Sequence, residues 1–245
     1  MIFRFRRIAP LVGLLVGLIC AFPAAPMAQG NPSSAEESQR RLAELERAQL
    51  ELRNRFLMLE DRINALLGES DSQRMYDIPA GTSPIRGNPD APITLIVFGD
   101  YQSDYSARAQ YALNRLQEAY PRELRIVYKH FPLRTEHPQA HDAALAAVAA
   151  GKQGRFWEMH ELLYRNSRVL QPSLYALLAN QIGVDLVAFE RDRTSLWALE
   201  RLAEDEKAAV AADVRGLPAL YLNGRRLPSW RYEFLKTQVD RLLGK

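Results

Sequence analysis

Ile93-Thr94-Leu95-Ile96-Val97-Phe98-Gly99 runs directly into Asp100-Tyr101-Gln102-Ser103-Asp104-Tyr105-Ser106. The first part is a short apolar run rich in β-branched residues, the composition of a buried strand. The second part is polar, and a helical pattern over 103–120 follows it. A serine at the start of a helix is a good N-cap, because its hydroxyl accepts a hydrogen bond from a free N–H of the first turn. That is the role expected of Ser103. Its hydroxyl titrates far above a thiol, so it is not a useful anion at neutral pH.

The pattern continues downstream as a strand over 124–130. Helical stretches follow over 139–151, 155–165, 172–182, 186–191 and 195–212. A strand over 219–222, an Asn223-Gly224 hairpin turn, a strand over 225–227 and a helix over 232–243 complete the order. Upstream, Ser83-Pro84-Ile85-Arg86 suits a short edge strand, where proline is tolerated. Strands alternating with helices define an α/β domain. It spans 81–245, with a helical insertion at about 138–192.

The N-terminal part reads differently. Arg4, Arg6 and Arg7 precede an apolar run from Ile8 to Phe22, then small residues and prolines up to Ala28. This is the layout of a secretory signal peptide over 1–28. An uncleaved anchor is the alternative, against which the shortness of the run argues. The only cysteine, Cys20, lies inside this run. Cleavage would leave a mature chain with no thiol, although export would permit disulfides. It would also change the charge balance from 32 basic against 29 acidic side chains to 29 against 29. The apparent basicity is thus a targeting feature, and nothing in it favours nucleic acid as a partner.

Residues 33–68 carry a heptad seam, with Leu42, Gln49, Phe56 and Ile63 alternating with Leu45, Leu52, Leu59 and Leu66. The remaining faces are rich in Glu and Arg. At roughly 1.5 Å per residue the seam is about 36 Å long, and a narrow apolar seam favours association between helices. A homo-oligomer, dimer or trimer, through Leu42 to Leu66 is expected; folding back onto the chain's own domain is the alternative. Residues 69–80 read as a linker, within a Pro- and Gly-punctuated stretch that continues to Pro92.

Several segments of the domain resemble the DsbA-like thioredoxin-fold oxidoreductases. They are Asn88-Pro89-Asp90-Ala91-Pro92-Ile93-Thr94, Gly99-Asp100-Tyr101-Gln102, Tyr128-Lys129-His130-Phe131-Pro132-Leu133, Gln153-Gly154-Arg155-Phe156-Trp157-Glu158-Met159-His160 and Val214-Arg215-Gly216-Leu217-Pro218-Ala219. The resemblance implies a thioredoxin fold with an inserted helical subdomain and a cis peptide before Pro218. The added N-terminal helix resembles the arrangement in oligomeric periplasmic isomerases of this superfamily. Where the family carries C-x-x-C, this chain reads Ser103-Asp104-Tyr105-Ser106, and a further family-typical cysteine is Ala149. Neither serine can form a mixed disulfide, so the sequence leans away from an enzyme even though the resemblance implies a thiol–disulfide oxidoreductase.

The resemblance also places the cis-proline loop beside the first turn of the active-site helix. A peptide groove built from Tyr101, Ser103, Tyr105, Leu217 and Pro218, with Trp230 contributing to an apolar floor, is the expected site; a proline kept only for its turn is the alternative. Serine hydrolysis would need a positioned base, and neither His130 nor His160 is evidently within reach. His137 and His141, four apart, could share a helical face and hold a metal, but they lack a clear third ligand. Trp157, Trp197, Phe156 and Tyr164 are expected in the core. No metal and no cofactor are expected. The sequence thus points to an exported, periplasmic, redox-inactive binding protein. Its partners would be polypeptide clients or envelope proteins, with a structural envelope component as the rival.

Overall fold

The computed structural model describes residues 74–245 and, nearer the N-terminus, residues 37, 39, 41, 44, 45, 48 and 59. In the described domain β1 (Ile85–Gly87) and β2 (Ile93–Gly99) lead to α1 (Asp104–Ala119) and β3 (Leu124–His130). Four helices follow: α2 (Ala140–Lys152), α3 (Phe156–Arg165), α4 (Pro172–Gln181) and α5 (Leu186–Arg193). The long α6 (Leu196–Ala211), the hairpin β4 (Ala219–Leu222) and β5 (Arg225–Leu227), and α7 (Tyr232–Leu242) close the chain. The expected strands and helices of the domain are all present, with ends displaced by a few residues.

The sheet order is β1-β3-β2-β4-β5. β2 and β3 are parallel; β4 runs antiparallel to β2, and β1 antiparallel to β3 at the edge. A right-handed strand–helix–strand unit buries its central strands on both faces; β2 is apolar almost throughout, whereas β3 is buried along most of its length although it carries Arg125, Lys129 and His130. At the β4–β5 turn Asn223 and Gly224 take φ of 46° and 81°, the conformation this hairpin requires. A Cβ on Gly224 would lie 2.8 Å from the carbonyl of Tyr76, so glycine also permits a close approach there.

Alternation along the strands separates two cores. Leu95, Val97, Ile126 and Tyr128 face α1, α7 and the inserted helices. Ile96, Phe98, Val127 and Tyr221 face the C-terminal half of α6 and the segment leading into the domain.

That leading segment corrects the expected boundary. Residues 74–80, read as linker, lie against the sheet. Tyr76 is buried, donates its N–H to Gly224 O at 2.8 Å and meets Tyr221 edge-on at 5.2 Å between ring centroids. Ile78 and Ala80 join the same core. Gly and Pro hide the segment's docking in the sequence, because one aromatic anchors it without any periodic pattern.

The seven isolated N-terminal residues are helical, and Glu37 and Arg41 form an exposed ion pair at 2.6 Å. Leu45 and Leu59, both seam positions, are 67% and 58% exposed in this single chain. The other seam residues, and the signal peptide, lie outside the described residues. Among the described residues no helix is long and apolar enough to cross a membrane.

Candidate functional site at the start of the first long helix

Ser103 caps α1. Its Oγ accepts a hydrogen bond from the Ser106 N–H at 3.2 Å, and its own N–H donates to Asp100 O at 3.2 Å. The turn before it is organised by the buried Asp100 carboxylate. This accepts from the N–H of Gln102 at 2.7 Å and of Leu133 at 2.9 Å. It also meets His137 Nδ1 at 2.8 Å. Asp104 is exposed and pairs with Arg168 at 3.5 Å. Tyr105 is 39% exposed, whereas Ser106 is buried.

The cis Leu217–Pro218 peptide lies at the same end of the sheet. Register fixes this, because Ala219 pairs with Phe98, which sets Pro218 level with the residue that enters the Asp100–Ser103 turn. Leu217 and Pro218 are half-buried and Gly216 is exposed, with open space where its side chain would be. Among the described residues no backbone hydrogen bond engages Gly216 or Leu217. Their N–H and C=O groups are therefore available to an extended partner.

Tyr101 corrects the expected groove. It is 1% exposed and points into the core, so it forms no part of an open floor. Its hydroxyl meets His160 Nδ1 at 3.1 Å, and His160 Nε2 meets Gln110 Oε1 at 3.0 Å. The glutamine oxygen can only accept, so Nε2 carries the proton and Nδ1 accepts from Tyr101. Around them Tyr128 and Tyr164 share a 2.7 Å hydrogen bond, and Tyr128 meets His160 edge-on at 4.5 Å. Gly99 has to be small: a Cβ there would lie 2.6 Å and 2.7 Å from the two tyrosine hydroxyls. Trp230 packs against this same core, whereas Leu217 packs against the opposite one. The two do not form a common floor.

Burial sets the protonation of this cluster. Desolvation pushes the phenols of Tyr101, Tyr128 and Tyr164 upward. It drives His160 well below its usual range, with Arg86 and His130 adding to the effect. His130 is lowered to about 4, mainly by desolvation, and among the described residues neither of its ring nitrogens has a partner. Both imidazoles are thus neutral at physiological pH. Neither hydrogen-bonds Ser103 or Ser106, so no nucleophile–base pair is assembled.

His137 and His141 do not share a helical face. α2 begins at Ala140, leaving His137 in the preceding turn against Asp100 while His141 meets Asp142 at 3.4 Å. The early Pro138 did not start the helix, because the Asp100 carboxylate holds the turn. Trp157 is partly buried against the core as expected, but Trp197 is 42% exposed with Lys152 over its ring.

Asp205 is a buried residue that sequence reading missed. Its carboxylate accepts from Ser83 Oγ, Lys129 Nζ, Arg201 Nη2 and the His130 N–H, at 3.0–3.3 Å. In the sequence it sits within Glu204-Asp205-Glu206-Lys207, which resembles a solvated face. The Arg201 four residues before it was the one available signal.

Comparison with known proteins agrees with this geometry. Residues 94–240 match the DSBA-like thioredoxin domain, and the chain belongs to that family. A thioredoxin-like oxidoreductase from Silicibacter pomeroyi superposes with a TM-score of 0.58 at 25% identity, covering 67% of this chain and 94% of that one. BdbD from Bacillus subtilis, in its oxidised form, gives 0.62 at 17% identity, covering 70% and 98%. In sequence, a Na(+)/H(+) antiporter NhaA 1 from Salinispora arenicola is 36% identical over 167 residues, 67% of this chain but 26% of the antiporter. The chain thus spans about a quarter of that relative's length.

Proposed function

We propose that the protein is an exported, redox-inactive member of its family that binds extended or unfolded polypeptide, as a chaperone or scaffold. The observation that carries this reading is the backbone of Gly216-Leu217, unengaged among the described residues, at the same end of the sheet as a helix start that carries Ser103 and Ser106 where the family has thiols. A partner strand can add to that backbone, while electron exchange has no sulfur to act through. Tyr105, Leu217 and Pro218 line the proposed groove, with the buried Ser103 capping the helix behind them. The seam from Leu42 to Leu66 would gather several such grooves into an oligomer, raising avidity for clients that engage more than one. The antiporter's name does not transfer, since three quarters of that protein has no counterpart in the match.

The test places a photo-crosslinking residue at position 217 and, as a control, at the exposed position 187. An unfolded, thiol-blocked polypeptide should be captured from position 217 and not from 187. Equal capture at both positions sinks the groove. Reduction of insulin by the mature chain sinks the redox-inactive assignment.

A further inference from the structure

α1 presents a row of aromatic and basic side chains on its outer face. Tyr105, Arg108, Tyr111 and Arg115 recur at steps of three and four, so they form one stripe along the helix. All are exposed, and Tyr111 is 71% exposed. The stripe begins two residues beyond the capping Ser103, at the proposed groove.

Its charges are held in place without being neutralised. Arg108 lies over the Tyr105 ring at 5.8 Å. Arg115 lies 5.7 Å from the ring of Tyr111 and 3.8 Å from that of Tyr232, the first residue of α7. Among the described residues neither arginine has a carboxylate partner. Most other arginines on the domain do, as Arg134, Arg155, Arg165 and Arg193 show. Ring contacts orient a guanidinium and leave its in-plane donors free. Tyrosine and arginine are also the residue types enriched where protein interfaces concentrate their binding energy.

We propose that this stripe is a docking surface for an acidic polypeptide segment, continuing from the groove at Leu217. The proposal rests on the polypeptide-binding reading and assigns the chemistry of the client. Arg108 and Arg115 are two helical turns apart, about 10 Å along the axis. In a polyproline-II segment, with three residues per turn, residues i and i+3 lie on one side about 9 Å apart. Two acidic residues at that spacing, flanked by apolar side chains for Tyr105 and Tyr111, match the surface. A nucleic acid matches it less well. Its backbone would need several adjacent cations, whereas this face offers two and is bounded by exposed acids, Asp104 and Glu118.

The test uses the full mature chain and two fluorescein-labelled dodecapeptides of Thr, Val and Gln. One carries a pair of Glu residues three apart; the other carries Gln at those positions. At low salt the acidic peptide should bind about fivefold tighter, the scale of two exposed charge pairs. Arg108→Gln with Arg115→Gln should remove that preference while leaving the neutral peptide's affinity unchanged. Arg108→Lys with Arg115→Lys should keep part of it. Equal affinity of the native chain for both peptides overturns the proposal, as does a preference that survives the double Gln change. Stronger binding of a single-stranded oligonucleotide than of the acidic peptide overturns it as well. Binding of the neutral peptide without any acidic preference sinks the stripe alone. Failure of both peptides to bind sinks the polypeptide-binding reading with it.

Discussion

Lys129 and His130 are neighbours on β3, both buried, and they end on opposite faces of the sheet in opposite chemical states. Lys129 Nζ meets Ser83 Oγ at 2.8 Å and Asp205 at 3.3 Å. His130 packs among Tyr101, Tyr128 and Phe156, and both its ring nitrogens lack partners among the described residues. One face answers a buried cation with a carboxylate and a hydroxyl from distant elements. The other keeps its titratable groups neutral by excluding water. The lysine too is lowered by desolvation, with Asp205 working against that shift. Burial penalises charge on both faces, and only one supplies compensation.

The largest test of that contrast is Asp205→Asn. It leaves Lys129 and Arg201 facing each other in the interior without their shared anion, and breaking a buried pair of this kind costs about 3–5 kcal/mol. Urea unfolding should show the loss, and adding Lys129→Met should recover a large part of it. A double variant no more stable than Asp205→Asn alone would mean that the carboxylate serves mainly Ser83 and the backbone.

Acid should act through the other face. The histidine ring binds a proton near 6.5 when unfolded and at about 4 when folded. Between those values the unfolded chain holds more protons, so the contribution of His130 to stability falls as the pH drops from about 6.5 to 4 and is constant below. The expected loss from His130 is about 3 kcal/mol, with His160 acting in the same direction. His130→Phe should flatten this limb and raise stability at pH 5, because it also removes two unpaired buried nitrogens. An unchanged acid limb in that variant would place the titration elsewhere.

The smallest expected effect lies at the start of α1. Ser103→Ala removes the α1 cap and should cost about 1 kcal/mol, by thermal or urea unfolding. Ser103→Asp should retain most of it, since a carboxylate at a helix start caps equally well and suits the dipole. Equal stability of Ser103→Ala and the native chain would show that Asp100, which orders the preceding turn, holds the helix start on its own.

What was legible in the sequence was the part that depends on neighbours along the chain. The capping Ser103, the Asn223-Gly224 turn and the five helices between β3 and β4 rest on local hydrogen bonds and local periodicity, and the strand into Gly99 was legible from its apolar, β-branched composition although its partners are distant. The absence of cysteine from positions 103 and 106 was legible too, since it needs only the identities of those residues.

The tertiary structure alone decided which side chains face water and which meet. Tyr101 turned inward because His160, far away on α3, offers its hydroxyl a partner. His137 was drawn to Asp100, Tyr76 to the sheet and Asp205 to β3, each across 30 residues or more of chain. Such pairings leave no periodic trace, because the geometry that joins them is set by strand register and helix packing. The sequence by itself determined that Ser103-Asp104-Tyr105-Ser106 starts a helix without a thiol; only the folded chain put Gly216 and Leu217, whose backbone has no hydrogen-bond partner among the described residues, at the same end of the sheet.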